Sequence, residues 1–203
     1  MMAFIRFLPL LALPLFALPL FAADYQLCFL NDGPNSGKIE AARAKELQAA
    51  HLEHIESMWK SGALESAGPI SGIPNARGIF LFSAPPAEAA RLAAADPTVL
   101  AGALRIDCHT WTGPAGVGRA YRAARALPGF EGKYTKKIGL LMKIVTPGPG
   151  LGKPIVSGVL RGGDYQYFVL LDTDQIDAVK AKFPDAVVFT WLHDPHVWDG
   201  VEP

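Results

Sequence analysis

Between Tyr25 and Trp111 the apolar runs and chain breakers alternate in a fixed order, and that order narrows the fold more than any other feature. Tyr25–Leu30 is a short aromatic and apolar run, hence a strand, stopped by the turn residues Asn31-Asp32-Gly33-Pro34-Asn35. From Lys38 to about Lys60 there is neither Pro nor Gly, and good helix formers dominate. Leu47, His51, Ile55 and Met58 fall on one face of that helix, so His51 points inward and His54 lies to the side. Gly62 ends the helix. Ala63–Ala67 reads as a strand running into Gly68-Pro69, and 70–77 as a loop. Gly78–Ser83 carries apolar side chains on both faces, so both faces need cover. Pro85, Pro86 and Glu88 suit a helix start, and Asp96-Pro97 stops that helix because proline cannot continue the hydrogen-bond ladder. A last strand spans about Ala103–Trp111.

The resulting β-α-β-β-α-β order predicts an α+β, ferredoxin-like unit over 24–112, two helices covering one face of a four-stranded antiparallel sheet. Right-handed crossovers set its first and last strands side by side at the sheet centre. The second face has no helix left to cover it, so another sheet must do so, from a second copy or from the rest of this chain. Cys28 and Cys108, the only two cysteines, fall on the two adjacent strands. A disulfide between them and two independent buried thiols are both open readings.

Three stretches carry a family resemblance: HLEHIESMWKSGALESAGP at 51–69, GIFLFSAPPAEAARLAAADPTVLAGAL at 78–104, and the closing strand reaching Trp111. Together they resemble the YCII-related (YciI-like) family over residues 24–112. The resemblance implies a small ferredoxin-like protein of the dimeric α/β-barrel type. It also implies a cleft lined by a histidine of the first helix and an aspartate of the Asp-Pro motif; His51 and Asp96 match these. Some members resemble enzymes acting on small aromatic ring compounds.

The chemistry of such a pair is plain without the resemblance. An imidazole titrates near neutral pH, and a carboxylate on its far ring nitrogen fixes the tautomer and stabilises the ring once protonated. The competing reading makes His51 a core histidine and Asp96 a local turn former. Gly68 and Pro69 are expected in the cleft wall, where a backbone amide can meet a ligand oxygen. His54 is a further ligand-binding candidate, and Trp111 is either core or a stacking surface. His51-x-x-His54, Asp107-x-His109 and His193-Asp194-Pro195-His196 supply metal-ligand types without a metal-site spacing, so no metal is expected. His193 and His196 read as solvated terminal residues. No nucleotide fingerprint occurs, so no organic cofactor is implied.

Residues 113–136 read as a linker with a short basic helix, Arg119–Leu127, whose Arg119, Arg122 and Arg125 form a solvated stripe. Beyond it, 137–203 reads as strand, strand, strand, helix, strand, with the Pro-Gly run at 146–152 where the first unit has its first helix. This region is either a degenerate second ferredoxin-like half, making an intrachain pseudo-dimer, or an extension on a homodimer.

At the other end, Arg6 precedes a run from Phe7 to Ala23 made only of Phe, Leu, Pro and Ala. A positive start, an apolar core and small terminal residues describe a secretory signal peptide over 1–23, cleaved after Ala22 or Ala23. The mature chain is then periplasmic or secreted, with no stable membrane insertion. Charge is balanced, with 19 Lys+Arg against 19 Asp+Glu, which gives no footprint for nucleic acid. The expected partner is a small molecule. The expected function is a lyase-like or isomerase-like acid-base enzyme, the alternative being a non-catalytic periplasmic ligand-binding or structural protein.

Overall fold

The computed structural model describes residues 22–143 and 154–201. The apolar leader and the Pro-Gly run at 146–152 lie outside the described residues, apart from the leader's last two alanines. The chain is an α+β protein built on a closed eight-stranded antiparallel barrel. Its first half contains β1 (Ala22–Asp32), α1 (Ala41–Lys60), β2 (Leu64–Ser71), β3 (Ala76–Phe82), α2 (Pro86–Ala94), α3 (Pro97–Leu100) and β4 (Leu104–Pro114). The second contains α4 (Arg119–Arg125), β5 (Thr135–Met142), β6 (Pro154–Arg161), β7 (Tyr167–Leu171), α5 (Ile176–Lys182), β8 (Val187–His193) and a 3-10 turn (Pro195–Trp198). Among the described residues no helix is long and apolar enough to cross a membrane.

Around the barrel the strands run β1-β3-β2-β8-β5-β7-β6-β4. Each half contributes four neighbouring strands in one order, fourth-first-third-second, and the halves meet at two seams, β2·β8 and β4·β6. Registers repeat as well. Cys28 lies opposite Phe80 and Cys108, and its counterpart Leu140 lies opposite Val169 and Val188. At the seams Trp111 faces Leu160, and Trp191 faces Ile70. The bare face expected for the first sheet is thus covered from within the chain. The first and last strands of the first half are adjacent as expected, but the centre is β1 with β3. β4 is the outer strand, because its free side is needed to bond β6.

Side chains alternate between the barrel interior and its outside. Leu27, Phe29, Ile79, Trp111, Phe168, Phe189 and Trp191 fill the inside. Outside, α1 and α2 cover Leu30, Phe80 and Phe82 of the first sheet, while Val179 of α5 packs on Ile138, Leu140 and Val188 of the second. Leu47 and Met58 anchor α1, and burial of each contributes on the order of 2 kcal/mol. Cys28 and Cys108 form a disulfide across β1 and β4, with Cα atoms 3.9 Å apart.

Local chemistry explains two departures from expectation. β2 continues through Gly68-Pro69 to Ser71, because Ile70 and Ser71 pair with Trp191 and Thr190 of the other half, so the turn shrinks to 72–75. Asp96-Pro97 both follows the end of α2 and opens α3, with Asp96 as its cap and Pro97 at its first position.

Candidate functional site

α1 carries His51 between Leu47 and Ile55, over the outer face of β3. There the imidazole stacks on Phe80, with ring centroids 5.8 Å apart and planes 22° apart. Asp96 arrives from the junction of α2 and α3, and its Oδ2 lies 2.6 Å from His51 Nδ1. Oδ1 accepts from the backbone N–H and the hydroxyl of Thr98, at 2.8 and 2.5 Å. The aspartate side chain is 0% exposed and the histidine 13%. Burial pushes the Asp96 carboxyl up, but the hydrogen bonds from His51 and Thr98 outweigh it and hold it below the ordinary carboxylate value. An ionised Asp96 only accepts, so Nδ1 donates to it and the neutral ring carries its lone pair on Nε2. The hydrogen-bond pattern, rather than an observed proton, assigns this tautomer.

His51 opens onto a cleft of about 460 Å³; Asp96 stands behind the ring and does not line it. The wall is largely apolar, Leu52, Phe80, Leu104 and Leu192 among its residues, with Gln48 and Arg77 adding polar groups. Arg77 is spoken for: its Nε and Nη2 donate to the two oxygens of Asp32, at 2.8 and 2.6 Å. Gly68 and Pro69 lie in the wall. The geometry supplies an imidazole base with a fixed tautomer, a buried counter-charge behind it and an apolar space in front.

The other candidates fall elsewhere. His54 Nε2 bonds the Leu92 carbonyl at 2.8 Å, tying α1 to α2, and is absent from the cleft wall. Trp111 is a core residue, fully buried inside the barrel against Tyr25, Phe168 and Trp198. His193 is not a solvated terminal residue: it is 0% exposed, and burial pushes its imidazole down to about 4. Its neighbour Asp194 accepts from the backbone N–H and ring Nδ1 of His196, at 3.0 and 2.7 Å. The arginines of α4 do not form a free stripe either. Arg122 bonds Glu65 at 2.8 Å, and Arg125 lies 3.8 Å over the Trp59 ring while bonding Glu56. Asp107 and His109 sit 3.4 Å apart on β4, and among the described residues no three His, Cys, Asp or Glu side chains converge as a metal site would need.

Sequence reading missed Thr98, although Asp-Pro-Thr is a cap pattern that announces such a bond. Leu192 and Tyr134 were also missed; both reach the cleft from the second half, and no local pattern signals a contact across a seam. Comparison of the chain with protein-family models, with curated proteins and with solved structures finds no match.

Proposed function

We propose that this chain is an exported, cofactor-independent acid-base enzyme of the YCII-like type, acting on a small molecule held in the His51 cleft. One observation carries the reading: a part-buried imidazole that lines a largely apolar cleft has a wholly buried, ionised carboxylate on its Nδ1 at 2.6 Å, which leaves Nε2 as the basic nitrogen. In the step envisaged, His51 Nε2 takes a proton from the substrate and Asp96 stabilises the imidazolium. The same nitrogen returns the proton to another substrate atom in an isomerisation, or to a leaving group in an elimination. Both products balance without an electron donor or acceptor. Positioned proton transfer of this kind is worth about 10²–10⁴ in rate.

Several features support the finer assignments. The order fourth-first-third-second in each half is that of a ferredoxin-like sheet, and two such sheets in one barrel fit a pseudo-dimer written in one chain. The YCII-like runs supply both His51 and Asp96. The leader pattern at 1–23 supports a periplasmic or secreted location, and a disulfide suits an oxidising compartment.

An NMR titration of His51 in the mature chain, compared with an Asp96→Asn variant, tests the pair. Neutralising Asp96 is expected to lower the His51 midpoint, because the imidazolium loses its counter-charge. An unmoved midpoint sinks the dyad. Coupling without turnover across a metabolite screen would leave a binding protein.

A further inference from the structure

The His51 cleft does not end at its apolar wall. A second compartment of about 200 Å³ adjoins it, and the two share Leu52, Ile55, Ala67 and Tyr134 as lining. α1 forms one side of both: Gln48 and His51 belong to the first compartment, Glu56 and Trp59 to the second. At 1.5 Å per helical residue, His51 and Trp59 stand roughly 12 Å apart along the axis. The far compartment is different in kind. It adds Ser66, Tyr121 and the Arg125–Trp59 stack to its apolar lining, and α4 and the 3-10 turn of the second half contribute Tyr121, Arg125 and Val197 to its wall.

The arginine and glutamate charges along this path are already matched, and Asp194 is held by hydrogen bonds. Arg77 is held by Asp32, Arg125 by Glu56, and Glu65 by Arg122 and the Ser83 hydroxyl. Asp194 accepts from Lys133 N and from His196. While the His51 imidazole is neutral, a charged ligand would have to displace one of these partners or be buried without one, and either costs several kcal/mol. A neutral ligand meets apolar surface at one end and hydroxyl and amphipathic aromatic groups at the other.

We infer that the two compartments form one site for an elongated, uncharged substrate, with its apolar reacting end against His51 and a hydrogen-bonding end in the Ser66–Tyr121 compartment. The second half of the chain is then a specificity element as well as barrel wall. This inference rests on the acid-base reading only for which end reacts; binding itself is read without turnover.

The experiment is an NMR titration of the mature full-length chain with four eight-carbon probes: octanol, octanediol hydroxylated at both ends, octanoate and octylammonium. The His51 ring and the Trp59 indole report on the two compartments. Octanediol is expected to shift both resonances with a single dissociation constant, several-fold tighter than octanol. The two ions are expected to bind about tenfold more weakly or worse. Leu52→Arg places a cation at the junction; Leu52 is 55% exposed, so the fold should tolerate it. It is expected to abolish the Trp59 response to octanediol. Shifts at His51 alone, octanoate binding as tightly as octanediol, or no response at either ring overturns the inference. The Asp96→Asn titration needs no ligand, so failure here leaves the dyad reading standing or falling separately.

Discussion

The two halves of the barrel share strand order and register and differ in what lies outside them. The first half carries α1, and with it His51, above β3; Asp96 and Thr98 close in from the end of α2. The second half has α5 where the first has α2, but among its described residues no counterpart of α1 and no paired histidine and carboxylate over the sheet. It does have a cavity of about 630 Å³, bounded by Met142, Lys143 and residues 182–186, which no histidine lines. The comparison separates what a barrel requires from what a site requires. Closure needs two sheets of matching register; the dyad over β3 needs a helix as well as a capped Asp-Pro turn, and among the described residues the second half has such a turn at Asp194-Pro195 without the helix.

The covalent tie is also one-sided. Cys28–Cys108 occupies the position that Leu140–Val188 occupies in the second half. Closing a loop with a sequence separation of 80 residues should stabilise by about 4 kcal/mol. A Cys28→Ala, Cys108→Ala double variant is expected to lose that much in urea unfolding, and reductant should then have no further effect. A variant as stable as the parent would show that the first half does not depend on the bond.

Acid should strike the halves in different windows. Buried His193 belongs to the second half, and its imidazole is pushed from 6.5 down to about 4. Between those values the unfolded chain binds a proton that the folded chain refuses, so stability falls as pH drops from 6.5 to 4, by on the order of 3 kcal/mol in all. His193→Phe should flatten this slope, measured as urea midpoint against pH; an equal slope in parent and variant would remove His193 as its source. Asp96 acts in the same direction but lower down. Its lowered carboxyl gives stability that is fully present above the ordinary 3.8 and is lost only as pH falls through the lowered value. Asp96→Asn should therefore change the curve below pH 3.8.

The two seams offer a symmetrical test. A Cβ on Gly68 would meet the Leu192 carbonyl and Trp191 Nε1; one on Gly158 would meet the Thr112 carbonyl and Trp111 Nε1. The obstacles include rigid backbone on both sides, so Gly68→Ala and Gly158→Ala should each destabilise by about 2 kcal/mol. Unequal losses would show that one seam is looser. The smallest expected effect belongs to Arg125→Ala, which removes the cation stacked on Trp59 and the pair with half-exposed Glu56 and should cost about 1 kcal/mol.

Much of the first half could be read from local pattern. α1 showed in the unbroken run to Lys60, the inward His51 in its four-residue spacing, and the two-sided burial of β3 in GIFLFS. Asp96 stood out because a proline follows it. The second half showed its strand order through its turns, without showing where its strands would bond. The errors cluster at the seams for one reason. Ile70 pairs with Trp191 and Trp111 with Leu160 because two sheets close on each other, and closure is set by shape across the whole barrel rather than by neighbouring residues. Hence β2 looked shorter than it is, Trp111 remained ambiguous, and His193 looked exposed. The arginines of α4 were misread similarly, since Trp59, Glu56 and Glu65 lie far away in sequence.

A barrel closed within one chain also behaves differently on dilution. Two sheets on separate molecules meet by a second-order encounter, so the completed barrel dissociates when its concentration falls below the dissociation constant. Here the linker around α4 keeps the second sheet at a fixed effective concentration near the first. Assembly is first order, and the cleft that Leu192 and Tyr134 complete persists at any protein concentration. Dilution into a large volume would leave the site whole without a second copy of the chain.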